Sequence, residues 1–231
     1  MIQGSSDFSR LTPRGKEQAA TAARNAFLLM DSNNNNKHGD QPTTEIKSIF
    51  VSPLTRAQET LSILRDNATG ETLVLPNSEV VLNNLREIDL YVWEGRDKKE
   101  LQSKFPDAWQ AWKEGDPHNF VVKCGYGNDD EQDRYPLLEL WDRADEVWKD
   151  IKEMETHSEN HSSLLVAHGS LGQALLGTAM GWDATHFRKH EFPNCGLVEV
   201  QWDISETSFQ DCKFAQRWRW RWPETSTWMQ R

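Results

Sequence analysis

Cysteine is scarce in this chain: Cys124, Cys195 and Cys212 are the only three in 231 residues. They lie far apart, without the close spacing of a thiolate metal site, so free thiols in a reducing compartment are the simplest reading. No apolar run approaches the ~20 residues of a membrane span. Basic charge is in deficit, with 26 Lys and Arg against 36 Asp and Glu and a net charge of −10. Nucleic acid and anionic membrane both require a broad basic face, which argues against either as a partner. A small anionic substrate remains compatible, because a pocket needs only a few local cations. Residues Met1 to Asp7 contain neither an apolar signal region nor an Arg-rich presequence. No Gly-x-Ser-x-Gly elbow is present to support an acyl-enzyme route.

Tryptophan, by contrast, is abundant, with 11 residues. Trp109, Trp112, Trp141 and Trp148 fall in helical patterns and read as core or rim packing. The length suits one large α/β domain, residues 1–231, with an insertion at about 96–134. Thr12 and Pro13 open a helix expected to reach Met30. Four consecutive asparagines then mark a solvated loop. Ile46 to Ser52 reads as a strand, with Ser52 as N-cap and Pro53 in the first turn of the helix that follows. A second strand spans Leu73 to Leu82, interrupted at Pro76 and Asn77. Within the insertion, Lys98 to Lys113 is helical. Gly115 to Arg134 reads as loop, with acidic residues Asp129, Asp130 and Glu131.

Leu140, Ala144, Val147 and Ile151 define an amphipathic helix from Pro136 to Glu155. A short helix at Ala184 to His190 and a strand at Leu197 to Trp202 come next, and the Trp–Arg alternation of Phe214 to Trp222 suits an edge strand. Strand–helix alternation of this kind predicts a parallel-rich sheet covered on both faces, a three-layer α/β/α sandwich.

Candidate chemistry gathers at three strand ends. Leu164 to Ala167 is a short apolar strand that delivers His168 and Gly169 to a helix beginning at Ser170, the place where open α/β sheets bind ligands. Backbone N–H groups and the helix dipole favour an anion there, phosphate above all. Arg56, within a turn of the Ser52 strand end, offers a planar fork to two phosphate oxygens. Glu87 precedes the Gly95 turn, and Asp89 and Glu94 compete with it for any carboxylate role. A carboxylate beside a phosphate site is useful if its pKa is high enough to protonate a leaving alkoxide. His186 and His190, spaced i and i+4, could share a metal, but with no third ligand nearby a second-shell or surface role is the simpler one. No metal and no cofactor is therefore assigned.

Ser52-Pro-Leu-Thr-Arg-Ala, Leu85-Arg-Glu and Val166-Ala-His-Gly, in this order, resemble the histidine phosphatase superfamily with its phosphoglycerate-mutase-like fold. Ile2-Gln-Gly-Ser-Ser-Asp and Leu11-Thr-Pro-Arg-Gly-Lys extend the likeness. Leu85 to Tyr91, Trp109 to Phe120, Glu139 to Ala144 and Gln173 to Leu176 are similar to the plastid 2-carboxy-D-arabinitol 1-phosphatase branch. The resemblance implies that Arg56 binds phosphate and Glu87 donates a proton. It makes His168 the second active-site histidine, which stabilises phosphoryl charge. Gln3, Gly4, Gly169 and Ser170 would line the pocket of a small phosphorylated substrate, and the branch implies a chloroplast location. Nothing in it specifies an oligomeric state.

One departure stands out. Family members begin with a strand ending in Arg-His-Gly, whose histidine is the phosphorylated nucleophile, and here Met1 falls just after that strand and its loop. Lys37-His38-Gly39 imitates the triplet, but from a loop without defined geometry. In-line phosphoryl transfer requires a nucleophile, which binding and protonating groups do not replace. The absent strand would lie mid-sheet beside the His168 strand, and its loss leaves buried backbone groups unpaired at ~1–3 kcal/mol each. The sequence is therefore read as truncated and lacking the first central strand. The chain as given is expected to form no phosphohistidine and to hydrolyse phosphomonoesters negligibly. A phosphatase of sugar-acid phosphates is the first expectation, a non-catalytic phospho-ligand binder the second, and a phosphoglycerate mutase the third.

Overall fold

The computed structural model describes residues 1–26, 44–68, 73–124, 132–155, 162–190, 192–202, 217–222 and 229–230. In chain order these form α1 (Pro13–Ala26), β1 (Thr44–Glu45), β2 (Ser48–Val51), α2 (Thr55–Asn67), β3 (Leu73–Val74) and β4 (Val80–Val81). The insertion holds α3 (Lys98–Lys104), α4 (Pro106–Glu114), β5 (Val122–Cys124) and β6 (Gln132–Arg134). The rest comprises α5 (Pro136–Met154), β7 (Ser163–Val166), α6 (Gly169–Ala179), β8 (Leu197–Gln201), β9 (Arg217–Trp222) and β10 (Met229–Gln230).

The three layers follow from the period of two along β2 and β7. Ile49 and Val51 join Leu164 and Val166 in one buried cluster with Ala23 of α1 and Ala57, Leu61 and Leu64 of α2. Phe50 points the other way, into a second cluster with Leu137, Leu140, Ala144 and Val147 of α5 and Leu171 and Ala174 of α6. A strand apolar on both sides is the signature of a sheet covered twice. The parallel sheet runs β4-β2-β7, with Phe50 beside Val80 and Leu165 and Val51 beside Val81 and Val166. A separate antiparallel sheet runs β10-β9-β8. Among the described residues β7 pairs only with β2 and β8 only with β9.

Several expected elements are corrected. Helix α2 begins at Thr55 rather than Pro53, because Leu54 is extended (ψ 133°). Ser52 is then no N-cap; its Oγ accepts the Leu54 N–H within the preceding turn (3.2 Å). Phe105 breaks the expected Lys98–Lys113 helix in two, since the residue before a proline is steered out of the α region. The expected loop contains an antiparallel pair, β5 with β6. Only Ala184–His186 of the expected 184–190 helix forms, as a single 3-10 turn that ends where Phe187 turns extended (ψ 137°), and Arg188 then adopts a positive φ of 66°. Strand β9 is central, paired to β8 and to β10, and not an edge. The asparagine loop, His38, residues 129–131, His157, His161 and Cys212 lie outside the described residues.

Candidate active site

The carboxyl ends of β2 and β7 are adjacent because the two strands are parallel and in register, Val51 beside Val166. Ser52 directly follows β2 and His168 comes two residues after β7, and the two side chains meet: His168 Nε2 lies 2.8 Å from Ser52 Oγ. Ser52 is fully buried. A tautomer in which Ser52 donates to Nε2 uses the hydroxyl as acceptor from Leu54 and donor to the ring, and satisfies both groups. Burial, reinforced by the nearby Arg56 and Arg143 guanidinium groups, holds the imidazole down to about 3 from an ordinary 6.5. His168 is therefore neutral at physiological pH.

Helix α6 begins at Gly169, and its first-turn N–H groups have no acceptor within the helix. Glu87 supplies one. Its Oε2 accepts from Ser170 N (3.2 Å), while Oε1 accepts from Leu171 N (3.1 Å) and Ile88 N (2.9 Å). Burial pushes this carboxyl up, against the pull of those three N–H groups and of Arg56. The result is a carboxyl near a helix N-terminus whose proton is held more tightly than usual, as a general acid requires. The Ser170 amide, expected to face substrate, is thus committed to Glu87.

Arg56, in the first turn of α2, reaches across to the amino-terminal segment. Its two terminal nitrogens donate to the Gly4 carbonyl (2.9 Å) and the Ser6 carbonyl (3.0 Å). Asp7 secures the same segment to the helix start, accepting from Thr55 N (2.8 Å) and Thr55 Oγ1 (2.7 Å). Those bonds, the side-chain one foremost, hold the Asp7 carboxyl below the usual carboxylate range. Glu94 grips the segment from the other side: it accepts from Ser5 N (3.0 Å), Ser5 Oγ (3.2 Å), Ser6 Oγ and Leu90 N (2.9 Å). Gly4 fits this clamp only as glycine. It has a φ of +56°, and a Cβ there would meet Glu94 Oε1 at 2.3 Å. Gly4 is brought to Arg56 as expected, whereas Gln3 is exposed.

The three competing carboxylates therefore separate by partner. Glu94 organises residues 4–6, Asp89 is paired with Arg143 (2.7 Å), and Glu87 alone touches the helix that follows His168. His186 and His190 both stack on the Trp182 indole, with ring centroids 5.3 and 4.9 Å away. No group of three potential metal ligands occurs among the described residues. The sequence reading missed the Ser52–His168 contact and the largely enclosed Arg143. A signal for Arg143 existed: it falls three residues after Leu140 and four before Val147, on the apolar stripe of α5, where a cation needs a partner.

A largely enclosed imidazole, a guanidinium fork and a carboxyl whose pKa is raised gather at the carboxyl ends of parallel strands, in an α/β protein of the three-layer class. The sequence pattern of the histidine phosphatase superfamily (branch 1) matches residues 39–214, and the chain belongs to that family. A probable 2-carboxy-D-arabinitol-1-phosphatase of Arabidopsis thaliana is 36% identical over 197 residues, covering 85% of this chain and 33% of that protein. The 2-carboxy-D-arabinitol-1-phosphatase of Triticum aestivum is 36% identical over 195 residues, with 84% and 32% covered. The chain thus spans about a third of the length of these curated relatives. Among solved structures, a mycobacterial glucosyl-3-phosphoglycerate phosphatase shares the fold with a TM-score of 0.62 at 21% identity, covering 95% of this chain and 88% of the other. The α-ribazole phosphatase of Shigella flexneri does so with a TM-score of 0.59 at 18% identity, covering 93% and 85%.

Proposed function

We propose that this chain is the phospho-ligand-binding and proton-donating part of a phosphatase of small phosphorylated metabolites. Sugar-acid phosphates such as 2-carboxy-D-arabinitol 1-phosphate are the substrate class, and the phosphohistidine nucleophile lies outside this chain. The observation that carries the proposal is the convergence of Arg56, Glu87 and His168, with the Arg56 guanidinium near enough to both of the others to influence their protonation. The 36% identity to two carboxyarabinitol phosphatases supports the substrate class, and their plant origin supports a chloroplast location.

In this reading the Arg56 fork takes two phosphoryl oxygens with the N–H groups not engaged by Gly4 and Ser6. A bound dianion offsets the two nearby guanidinium charges, so His168 can accept a proton and donate to a third oxygen as charge builds there. Glu87, whose pKa burial raises, passes a proton to the leaving alkoxide oxygen. Gly169 and Gly4 form the backbone walls. Residues 1–231 act as one domain. The mutase reading gains no support from the relatives found.

A binding-only role is favoured by one observation: His168 is the sole histidine in this polar cluster among the described residues. Titration of the chain with inorganic phosphate, followed by calorimetry, tests the shared ligand chemistry. Binding should weaken about tenfold or more in both Arg56→Ala and His168→Ala, the cost of losing a charge-assisted contact. Unchanged binding in both variants would overturn the site. Hydrolysis by this chain that survives His168→Ala and Glu87→Ala would overturn the assigned roles.

A further inference from the structure

Arg143 lies on α5, in a stripe otherwise made of Leu137, Leu140, Trp141, Ala144 and Val147. Its side chain is only 13% exposed. One terminal nitrogen donates to Asp89 Oδ2 (2.7 Å), and the other donates to two backbone carbonyls, of Arg86 (3.1 Å) and of Glu87 itself (2.8 Å). The planar fork therefore spans residues 86 to 89 from one side. From the other side, the Glu87 carboxyl reaches α6. Glu87 is thus held at its main chain by one helix and at its side chain by another.

We infer that Arg143 is a positioning residue, whose guanidinium fixes the main chain at Glu87 so that the carboxyl meets the start of α6 beside His168. The inference rests on the proposed proton-donor role of Glu87 for its functional meaning, but its geometry can be tested alone. Ser170 and Leu171 are in the first turn of α6, and their N–H groups have no helical acceptor. Gly172 N is the first to be bonded within the turn, to the His168 carbonyl (2.7 Å). Exchange protection of the Ser170 and Leu171 amides accordingly reports the position of the Glu87 carboxyl.

The experiment is amide hydrogen exchange by NMR on the full chain, for Arg143→Lys, Asp89→Asn and Glu87→Ala. Lysine keeps the charge and loses the fork. Arg143→Lys should lower protection at Ser170 and Leu171 about tenfold or more, with Gly172 and Val147 unchanged. Glu87→Ala should do the same by itself, and adding Arg143→Lys to it should change those two amides less than about twofold, because the two act in series. Protection that is unchanged at both amides in Arg143→Lys overturns the inference. Should Arg143→Lys also expose Gly172 and Val147, the decision passes to Asp89→Asn, which retains the arginine. A loss of about threefold or more at the two amides then supports the inference and no loss overturns it. Absence of phosphate binding by the intact chain would overturn the proposed function and leave this positional result standing.

Discussion

A single histidine illustrates how burial and charge set the behaviour of the site. His168 loses stability in its cationic form because it is buried next to Arg56 and Arg143, and its pKa falls to about 3. The unfolded chain binds a proton at this residue near pH 6.5, while the folded chain does so only near pH 3. Stability from this group is therefore complete above the unfolded value and declines as pH falls through the interval. At ~1.4 kcal/mol per pH unit, the loss between pH 6.5 and 4.5 is about 1–3 kcal/mol. Glu87 has the opposite sign. Its folded pKa is raised, so its contribution is complete below the unfolded value and is lost as pH rises through the folded one. Urea unfolding of His168→Asn should show a flatter acid limb than the parent chain between pH 6.5 and 4.5. Glu87→Gln should leave that limb steeper, because the opposing contribution is gone. Parallel acid limbs for His168→Asn and the parent would refute the assigned burial of His168.

Between elements, helices α5 and α6 pack closely. Gly177 lies against the Trp141 indole, where a Cβ would stand 2.7 Å from Trp141 Cζ2. Trp141 cannot easily withdraw, since it is buried and its Nε1 donates to the Trp182 carbonyl (3.0 Å). Trp148 adds a second tie one face along, donating to the Leu175 carbonyl (3.0 Å). Gly177→Ala must therefore push the helices apart, and the gain in helix propensity of up to ~1 kcal/mol does not offset overpacking of ~1–3 kcal/mol. The expected outcome is a net destabilisation of about 1–2 kcal/mol in denaturant unfolding. Because α5 also carries Arg143, the same variant should weaken phosphate binding. A stabilised Gly177→Ala would show that the two helices have room between them.

Over the whole molecule, two apolar layers meet across one sheet. Phe50 and Ile49 are neighbours in sequence, each 1% exposed, yet they belong to cores on opposite faces. Phe50→Ala should cost ~3–5 kcal/mol and Ile49→Ala ~2–5 kcal/mol, losses that few natural domains of ~5–15 kcal/mol total stability survive together. Thermal unfolding of each single variant checks this; a loss below ~1 kcal/mol at either residue would contradict a sheet covered on both faces. The layer arrangement also explains the site, because only helices on both sides can bring α2 with Arg56 and α6 with His168 to the same sheet edge.

Much of this was legible in the sequence, for local reasons. Apolar alternation and short hydrophobic runs defined β2 and β7, the proline at position 136 and the stripe from Leu137 to Ile151 defined α5, and His168-Gly169 marked a strand end before a helix. These depend on backbone period and steric preference, which act over a few residues. Which carboxylate reaches the start of α6 was not decided locally: Glu87, Asp89 and Glu94 are within eight residues of each other and chemically similar in isolation. Tertiary structure separated them by giving Asp89 the Arg143 guanidinium, Glu94 the Ser5 amide and the Ser5 and Ser6 hydroxyls, and Glu87 the N-terminus of α6. The same holds for Ser52, which local chemistry assigned to a helix cap and the parallel pairing of β2 with β7 delivered to His168. Sequence by itself determined which residues could bind or move a proton. Long-range packing, which alone sets burial and charge environment, decided which of them stand together at the end of the sheet.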